Sequence, residues 1–115
     1  MNSRNSNSVN SNSEEKLLNL IGLCKRAGKI TCGEQAVLDS IKRPVYSFII
    51  IANDASERTL KKITDKCKSN NKDYIIFSDR YTLGKYTKRE YAVTVSVNDI
   101  NFANRIHEIY CENYS

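Results

Sequence analysis

The chain has 115 residues, of which 40% are hydrophobic, and this is enough apolar material for one compact domain but not for two. A charged share of 27%, a single proline and no tryptophan exclude a collagen, a coiled coil and a wholly disordered chain. No apolar stretch approaches the roughly 20 residues that span a bilayer. The N-terminal segment also lacks the apolar core of a secretory signal peptide, so we expect a cytoplasmic protein with no membrane contact.

The charge is unevenly distributed. Eighteen Lys and Arg against thirteen Asp and Glu give a net charge of +5. Residues 91–115 carry one basic and three acidic groups, so the basic excess lies in the first 90 residues. A polyanion such as RNA is a natural partner for such a surface. The alternative is an ordinary solvated surface on a slightly basic protein.

The cysteine pattern argues against a metal site. The four cysteines form no C-x-x-C pair, and His107 is the single histidine of the chain, so no zinc-site spacing is present. In a chain without a signal peptide we expect reduced thiols packed in or near a core. These cysteines are Cys24, Cys32, Cys67 and Cys111.

Predicted elements begin after an Asn/Ser-rich segment. Residues 1–13 are predicted to form a disordered tail, and residues 14–115 a single domain. The first helix ends at Gly28, and a short strand follows over 29–32. The inner face of that helix has helical spacing and consists of Leu17, Leu20, Ile21 and Cys24.

The middle of the chain alternates between helices and strands. Thr31 and Glu34 have the spacing of a capping box, which predicts a second helix that ends at Pro44. The continuous apolar run over 45–52 is typical of a central strand covered on both faces. A capping signal over 54–57 then predicts a third helix.

The last third continues the same alternation. A third strand is predicted over 73–77, and a short helix from Asp79 to near Gly84. Residues 91–97 alternate between apolar and polar side chains, and Asp99 is expected to cap a final helix. Five helices alternating with four strands predict an α/β protein, a three-layer α/β/α sandwich.

Sequence motifs for catalysis are missing. The chain contains no Gly-rich dinucleotide loop, no P-loop and no G-x-S-x-G elbow. Asp54 follows a predicted strand, as a phospho-acceptor would, but a helix N-cap explains it better. We therefore expect no enzyme activity, no catalytic residue, no metal and no cofactor.

Two segments are candidate sites. The second helix begins at Gly33, Glu34 and Gln35, and a helix start suits a phosphate. The connection 83–90 is basic and contains an aromatic residue that can stack on an unpaired base. The alternatives are a simple turn, a charged surface loop and an aromatic ring folded onto the core. A third helix face with Arg58, Lys62 and Lys66 is a weaker candidate.

The sequence resembles a known family. Residues 20–29, the pair Gly33–Glu34, residues 50–56 and 64–67, and the pair Leu83–Gly84 resemble the YlxQ-like proteins of Gram-positive bacteria. These belong to the superfamily of kink-turn RNA-binding ribosomal proteins, and the resemblance covers about residues 15 to 112. It implies a mixed four-stranded sheet and a role in binding ribosomal or structured regulatory RNA, in the ribosome or another ribonucleoprotein.

The resemblance also implies site residues. In the superfamily the RNA site is formed by the start of the second helix and the loop before the last strand. The corresponding residues near the helix start are Lys29, Gly33, Glu34 and Gln35, and Arg26 is added to the candidate site because it is a basic residue nearby in the sequence. Those in the loop are Tyr86, Thr87, Lys88 and Arg89.

Several positions depart from the family pattern. Strong kink-turn binders have Gly-x-Asn-Glu-x-x-Lys at the helix start, whereas here Gln35 replaces the Asn, Ala36 the Glu and Asp39 the Lys. Lys88 stands where a second glycine is expected. The charge of Asp39 is expected to disfavour a phosphate by repulsion. The main hypothesis is therefore a protein that binds a structured RNA such as a kink-turn, and the alternative is a protein-interaction module that has lost specific RNA binding.

Overall fold

A computed structural model describes the backbone of residues 2–114 and the side chains of residues 12–114. The backbone of residues 2–13, in the segment predicted to be a disordered tail, is helical and continuous with the first helix, and the division of the chain into a tail and a domain stays a prediction. Over the described range, helices and strands alternate in the predicted order. They are α1 (Asn2–Arg26), β1 (Ile30–Cys32), α2 (Glu34–Lys42), β2 (Phe48–Ile51), α3 (Glu57–Ser69), β3 (Tyr74–Ile76), α4 (Arg80–Tyr86), β4 (Thr94–Val97) and α5 (Ile100–Tyr114).

The four strands form one mixed sheet in the order β1-β4-β2-β3. The last strand, β4, lies in the interior of the sheet, antiparallel to both β1 and β2. Strands β2 and β3 are parallel, with Ile50 opposite Ile75. The predicted α/β class with a mixed four-stranded sheet is thus confirmed.

Helices cover both faces of the sheet. On one face α1, α4 and α5 enclose the larger apolar cluster, which includes Leu17, Leu83 and Ile106. On the other face α2 and α3 enclose a smaller cluster around Ile41 and Ile63. All four residues of β4 are buried, including the polar ones of the alternating pattern, because that side lies beneath α2.

The end of α1 follows the prediction, but the start of α2 does not. Gly28 has a φ of 74°, which a glycine adopts without strain, and its N–H donates to the Lys25 carbonyl at 3.0 Å. The predicted capping box at α2 is wrong, because Thr31 belongs to β1 and its hydroxyl donates to Asn98 Oδ1 at 2.9 Å. The N-cap of α2 is Gly33, with no side-chain cap.

Of the caps predicted for α3 and α4, one is wrong and one is confirmed. The prediction of Asp54 as an N-cap is wrong, since Ser56 caps α3 and its Oγ accepts from the Thr59 N–H at 3.1 Å. Asp54 instead accepts from the Arg80 N–H at 3.1 Å and thereby joins the loop after β2 to the start of α4. The predicted cap at Asp79 is confirmed, because its carboxylate accepts from the Thr82 N–H at 2.8 Å.

The cysteines are mostly in the core, as predicted. Cys24 and Cys67 are buried, and burial raises the pKa of Cys24 to about 12 and that of Cys67 to about 11. Cys32 is half-buried, whereas Cys111 is exposed and so contradicts the expectation. None of the described helices combines the length and the apolar character that a membrane span requires.

Candidate nucleic-acid interface

The start of α2 and the segment before β4 meet at one end of the sheet. Gly33 follows β1 directly, and its N–H donates to the Thr94 carbonyl at 3.3 Å. Its φ of 97° and ψ of 144° are rare for residues with a Cβ. A cavity of about 290 Å³ opens here, and we call it the α2-start cavity. It is lined by Gly33, Glu34, Thr59, Arg89, Tyr91, Ala92, Val93 and Thr94.

Glu34 is held by α3 rather than left open to a ligand. Its Oε2 accepts from Lys62 Nζ at 2.8 Å, and its Oε1 accepts from Thr59 Oγ1 at 3.2 Å. The hydrogen bond from Lys62 is the main reason that the pKa of Glu34 lies below its ordinary value. The carboxylate therefore fixes the start of α2 against α3, and Lys62 neutralises its charge beside the cavity.

Arg89 is placed by a close backbone approach. The Arg89 N–H donates to the Gly84 carbonyl at 2.8 Å, and the Ala92 N–H donates to the Arg80 carbonyl at 2.9 Å. A Cβ at position 84 would lie only 2.6 Å from Tyr91 Cα, so this approach requires glycine. Segment 89–92 is thus fixed against α4 with Arg89 at the cavity.

Lys88 adds a second exposed cation next to Arg89. Its φ of 62° is the left-handed conformation that favours glycine, which is the residue expected at this position from the family resemblance. Lys88 and Arg89 are both exposed, and neither forms an ion pair with another side chain of residues 12–114. Both cations therefore remain available to an anionic ligand.

Two predicted loop residues face the core. Thr87 is fully buried, and its hydroxyl donates to the Leu83 carbonyl at 2.8 Å, where it closes the end of α4. Tyr86 is half-buried and packs beside Gly22 of α1. The aromatic residue at the cavity is Tyr91, which is 52% exposed. The only sequence signal for Tyr91 was its place at the head of the alternating stretch 91–97.

The predicted residues Arg26 and Lys29 do not line the α2-start cavity. Lys29 precedes β1, whereas Gly33 follows it, and the four intervening steps of extended chain separate them by about 13 Å. The Lys29 carbonyl accepts from the Asn98 N–H at 2.8 Å, at the opposite end of the sheet from the cavity. Arg26 lies in the last turn of α1 and is exposed. Closeness in sequence to Gly33 was therefore misleading for Lys29.

Gln35 lies at the exposed start of α2. Its Nε2 donates to Asp39 Oδ1 at 3.1 Å, one turn further along the helix. Asp39 itself lines a different cavity and not the α2-start cavity. Asp39 therefore does not line the cavity at which a phosphate would meet Gly33 and Arg89.

The chemistry of the α2-start cavity suits binding. Without a side-chain cap, the first N–H groups of α2 can meet an anion, and the helix dipole favours it. The Thr94 hydroxyl is buried at the cavity and has no hydrogen-bond partner in the described structure. In the part of the chain that the structure describes, no group of three or more His, Cys, Asp or Glu side chains is placed to hold a metal ion.

Comparison with known proteins agrees with this fold. A model of the ribosomal protein L7Ae/L30e/S12e/Gadd45 family matches residues 15–107. The RNA-binding protein YlxQ of Bacillus subtilis (strain 168) is 37% identical over 87 residues, which cover 76% of this chain and 87% of that protein. The RNA-binding protein YlxQ of Enterococcus faecium is 43% identical over 58 residues, which cover 50% of this chain and 56% of that protein.

Solved structures give the same result. A Bacillus halodurans protein of unknown function superposes with a TM-score of 0.79 at 29% identity, covering 82% of this chain and 95% of its own. A Giardia lamblia 15.5kD RNA binding protein superposes with a TM-score of 0.74 over 89% of this chain and 88% of its own. At 20% identity the latter likeness shows the fold alone. The match over residues 15–107 and the close similarity to YlxQ establish that this chain is a YlxQ-like member of the ribosomal protein L7Ae/L30e/S12e/Gadd45 family.

Proposed function

We propose that this chain binds a structured RNA through the start of α2 and the segment Lys88–Arg89, and that a kink-turn in ribosomal or regulatory RNA is its target. The observation that carries the proposal is the α2-start cavity, which brings Gly33 and Arg89 together although they are far apart in sequence. The name of YlxQ as an RNA-binding protein in two relatives supports it. Association with the ribosome, in the cytoplasm and without enzyme activity, is part of the same proposal.

The proposed contacts divide by chemistry. A backbone phosphate would meet the first N–H groups of α2, with Lys88 and Arg89 supplying the counter-charge. An unpaired base would stack on the exposed ring of Tyr91. Glu34 would act through its bonds to Lys62 and Thr59, which hold the helix start in place.

The test is a binding titration with an intact kink-turn RNA and with the same RNA whose sheared G·A pairs are mutated. We expect tighter binding to the intact RNA and a steep dependence on salt, because each phosphate contact releases counterions. Equal, weak binding to both RNAs would contradict recognition of the kink-turn.

Charge reversals locate the surface. Arg89→Glu should weaken binding at least about 10-fold and reduce the salt dependence by about one contact. Lys68→Glu is the matched control, because Lys68 is also exposed and lies in the last turn of α3, whereas Thr59, the α3 residue at the cavity, lies in its first turn. If both reversals weaken binding equally, attraction between net charges explains the affinity and the proposed surface is wrong.

A protein-interaction module is the second candidate. It is favoured by the observation that Glu34 and Gln35, two side chains at the start of α2, are already bonded to Lys62 and Asp39. This alternative predicts weak, non-specific RNA binding and a protein partner that co-purifies with the chain. The titration above separates the two candidates directly.

A further inference from the structure

A second cavity, of about 300 Å³, lies along α2 beside the edge strand β1. We call it the α2 groove. It shares no lining residue with the α2-start cavity, and it contains the family position at which Asp39 replaces a lysine. Its volume is at the lower end of the range for small-molecule sites, about 300–1,000 Å³. Its lining includes Thr31, Asp39, Ser40, Arg43, Tyr46 and Asn98.

The inner side of the groove is a fixed polar network. Thr31 Oγ1 donates to Asn98 Oδ1 at 2.9 Å, and Asn98 Nδ2 donates to Ser40 Oγ at 3.1 Å. Asn98 also donates to the Tyr46 carbonyl at 3.3 Å. The network joins β1, α2 and the segment before β2, so the groove is held in shape without a ligand.

The outer residues of the α2 groove are two oppositely charged side chains, which form no ion pair with each other, and an aromatic ring. Asp39 and Arg43 stand one turn apart on α2, a spacing at which opposite charges commonly pair. Both are described, yet no ion pair joins them. Tyr46 is 40% exposed. An acceptor, a cation and a stacking surface therefore line one cavity of nucleotide size.

We infer that the α2 groove holds one unpaired guanine nucleotide of the bound RNA, with Asp39 as the residue that selects the base. This inference rests on the proposed function and extends its RNA-contacting surface along α2. Tyr46 would stack on the base, and Arg43 would pair with its phosphate. Asp39 would accept from the N1–H and N2–H groups of the Watson–Crick edge.

The choice of guanine follows from the hydrogen-bonding capacity of the Asp39 carboxylate. A carboxylate presents two oxygens with about four lone pairs, and the bond from Gln35 uses one of them. Guanine alone offers two adjacent N–H donors on that edge. Adenine and cytosine place an acceptor nitrogen beside their amino group, and uracil flanks its single N–H with carbonyl oxygens, so both arrangements repel part of the carboxylate.

The decisive test is whether one substitution, Asp39→Asn, weakens or strengthens RNA binding. Asp39→Asn keeps the side-chain shape and raises the net charge, so simple electrostatics predicts tighter RNA binding. The inference predicts weaker binding, by about 5- to 100-fold, because a donor amide then meets the guanine donors. Unchanged or tighter binding overturns the inference. The proposed function is judged separately by Arg89→Glu, which must weaken binding whichever way Asp39→Asn acts.

Titration with free nucleotides tests which base the groove prefers and whether that base comes from RNA or from a free nucleotide. We expect guanosine monophosphate to shift the backbone NMR signals of Asp39, Arg43 and Tyr46 more than inosine monophosphate, which lacks the N2 amino group. Tyr46→Phe should keep this response and Tyr46→Ala should lose it. Equal responses to both nucleotides overturn the assignment of guanine. A guanosine response without any RNA effect of Asp39→Asn would make the groove a site for a free nucleotide and overturn the assignment to RNA.

Discussion

Replacing Gly84 by alanine tests how the proposed RNA-binding segment is positioned. By helix propensity alone, Gly84→Ala inside α4 should stabilise the protein by about 1 kcal/mol. The structure predicts the opposite sign. The added Cβ would lie 2.6 Å from Tyr91 Cα, 2.8 Å from Tyr91 N and 2.9 Å from the Arg89 carbonyl oxygen. All three neighbours are backbone atoms, so no side-chain rotation relieves the contact.

The magnitude follows from the cost of overpacking. Forcing backbone apart at a buried site costs about 1–3 kcal/mol, and each kcal/mol lowers the melting temperature of a domain of this size by about 4–8 °C. Because Arg89 moves with the segment, RNA affinity should fall together with stability. Both effects are measured on the same sample, by thermal unfolding followed by circular dichroism and by titration with the kink-turn RNA.

Gly22 provides the matched control. It lies inside α1, and a Cβ there would be 3.6 Å from Tyr86 Cδ2, an ordinary van der Waals contact. Gly22→Ala should therefore leave the melting temperature unchanged or raise it, in line with helix propensity. If Gly84→Ala melts at or above the temperature of the unmodified chain, segment 89–91 does not pack against α4 as described, and the reasoning is refuted.

Two further changes test strain and charge. Lys88→Gly should raise the melting temperature, because a left-handed residue other than glycine costs about 1–2 kcal/mol, and RNA affinity should fall through the lost charge; a lower melting temperature would contradict the strain at this φ of 62°. For Glu34→Gln we expect a pH-dependent loss of stability. The pKa of Glu34 is lowered below its ordinary 4.5, so its bond with Lys62 stabilises the fold above that pH and ceases to do so as the pH falls through the folded-state pKa. Since the two side chains are 39% and 38% exposed, the effect should be below about 1 kcal/mol. Urea unfolding should show a larger gap between the two proteins at pH 7 than at pH 3, and an equal gap at both would rule out the ionised pair as its cause.

Much of the fold could be predicted from local pattern. Helical spacing placed the inner face of α1, Gly28 its end, and Asp79 the start of α4, because each of these signals depends on residues within one turn. The misassigned caps at Thr31 and Asp54 failed for one physical reason. Each side chain forms a hydrogen bond with a residue distant in sequence, Asn98 in one case and Arg80 in the other.

The candidate site was predictable only in part. The two segments were identified correctly as neighbours through the family resemblance, but individual side chains were not. Tyr86 and Tyr91 are both tyrosines near basic residues, and only the packing of α4 on α1 decides that Tyr86 turns to the core and Tyr91 to the cavity. Lys29 seemed close to Gly33 in sequence, yet the extended strand between them carries it to the other end of the sheet.

The interior place of β4 constrains when this protein can become functional. Until residues 94–97 have been synthesised, β1 lacks its strand partner and β2 has only β3. Both sides of the α2-start cavity also depend on that late strand, since Gly33 bonds to the Thr94 carbonyl. Such long-range pairing makes folding wait for most of the chain. A nascent or truncated chain that ends before β4 would therefore lack the α2-start cavity, through which we propose that RNA is bound, and would not compete with the complete protein.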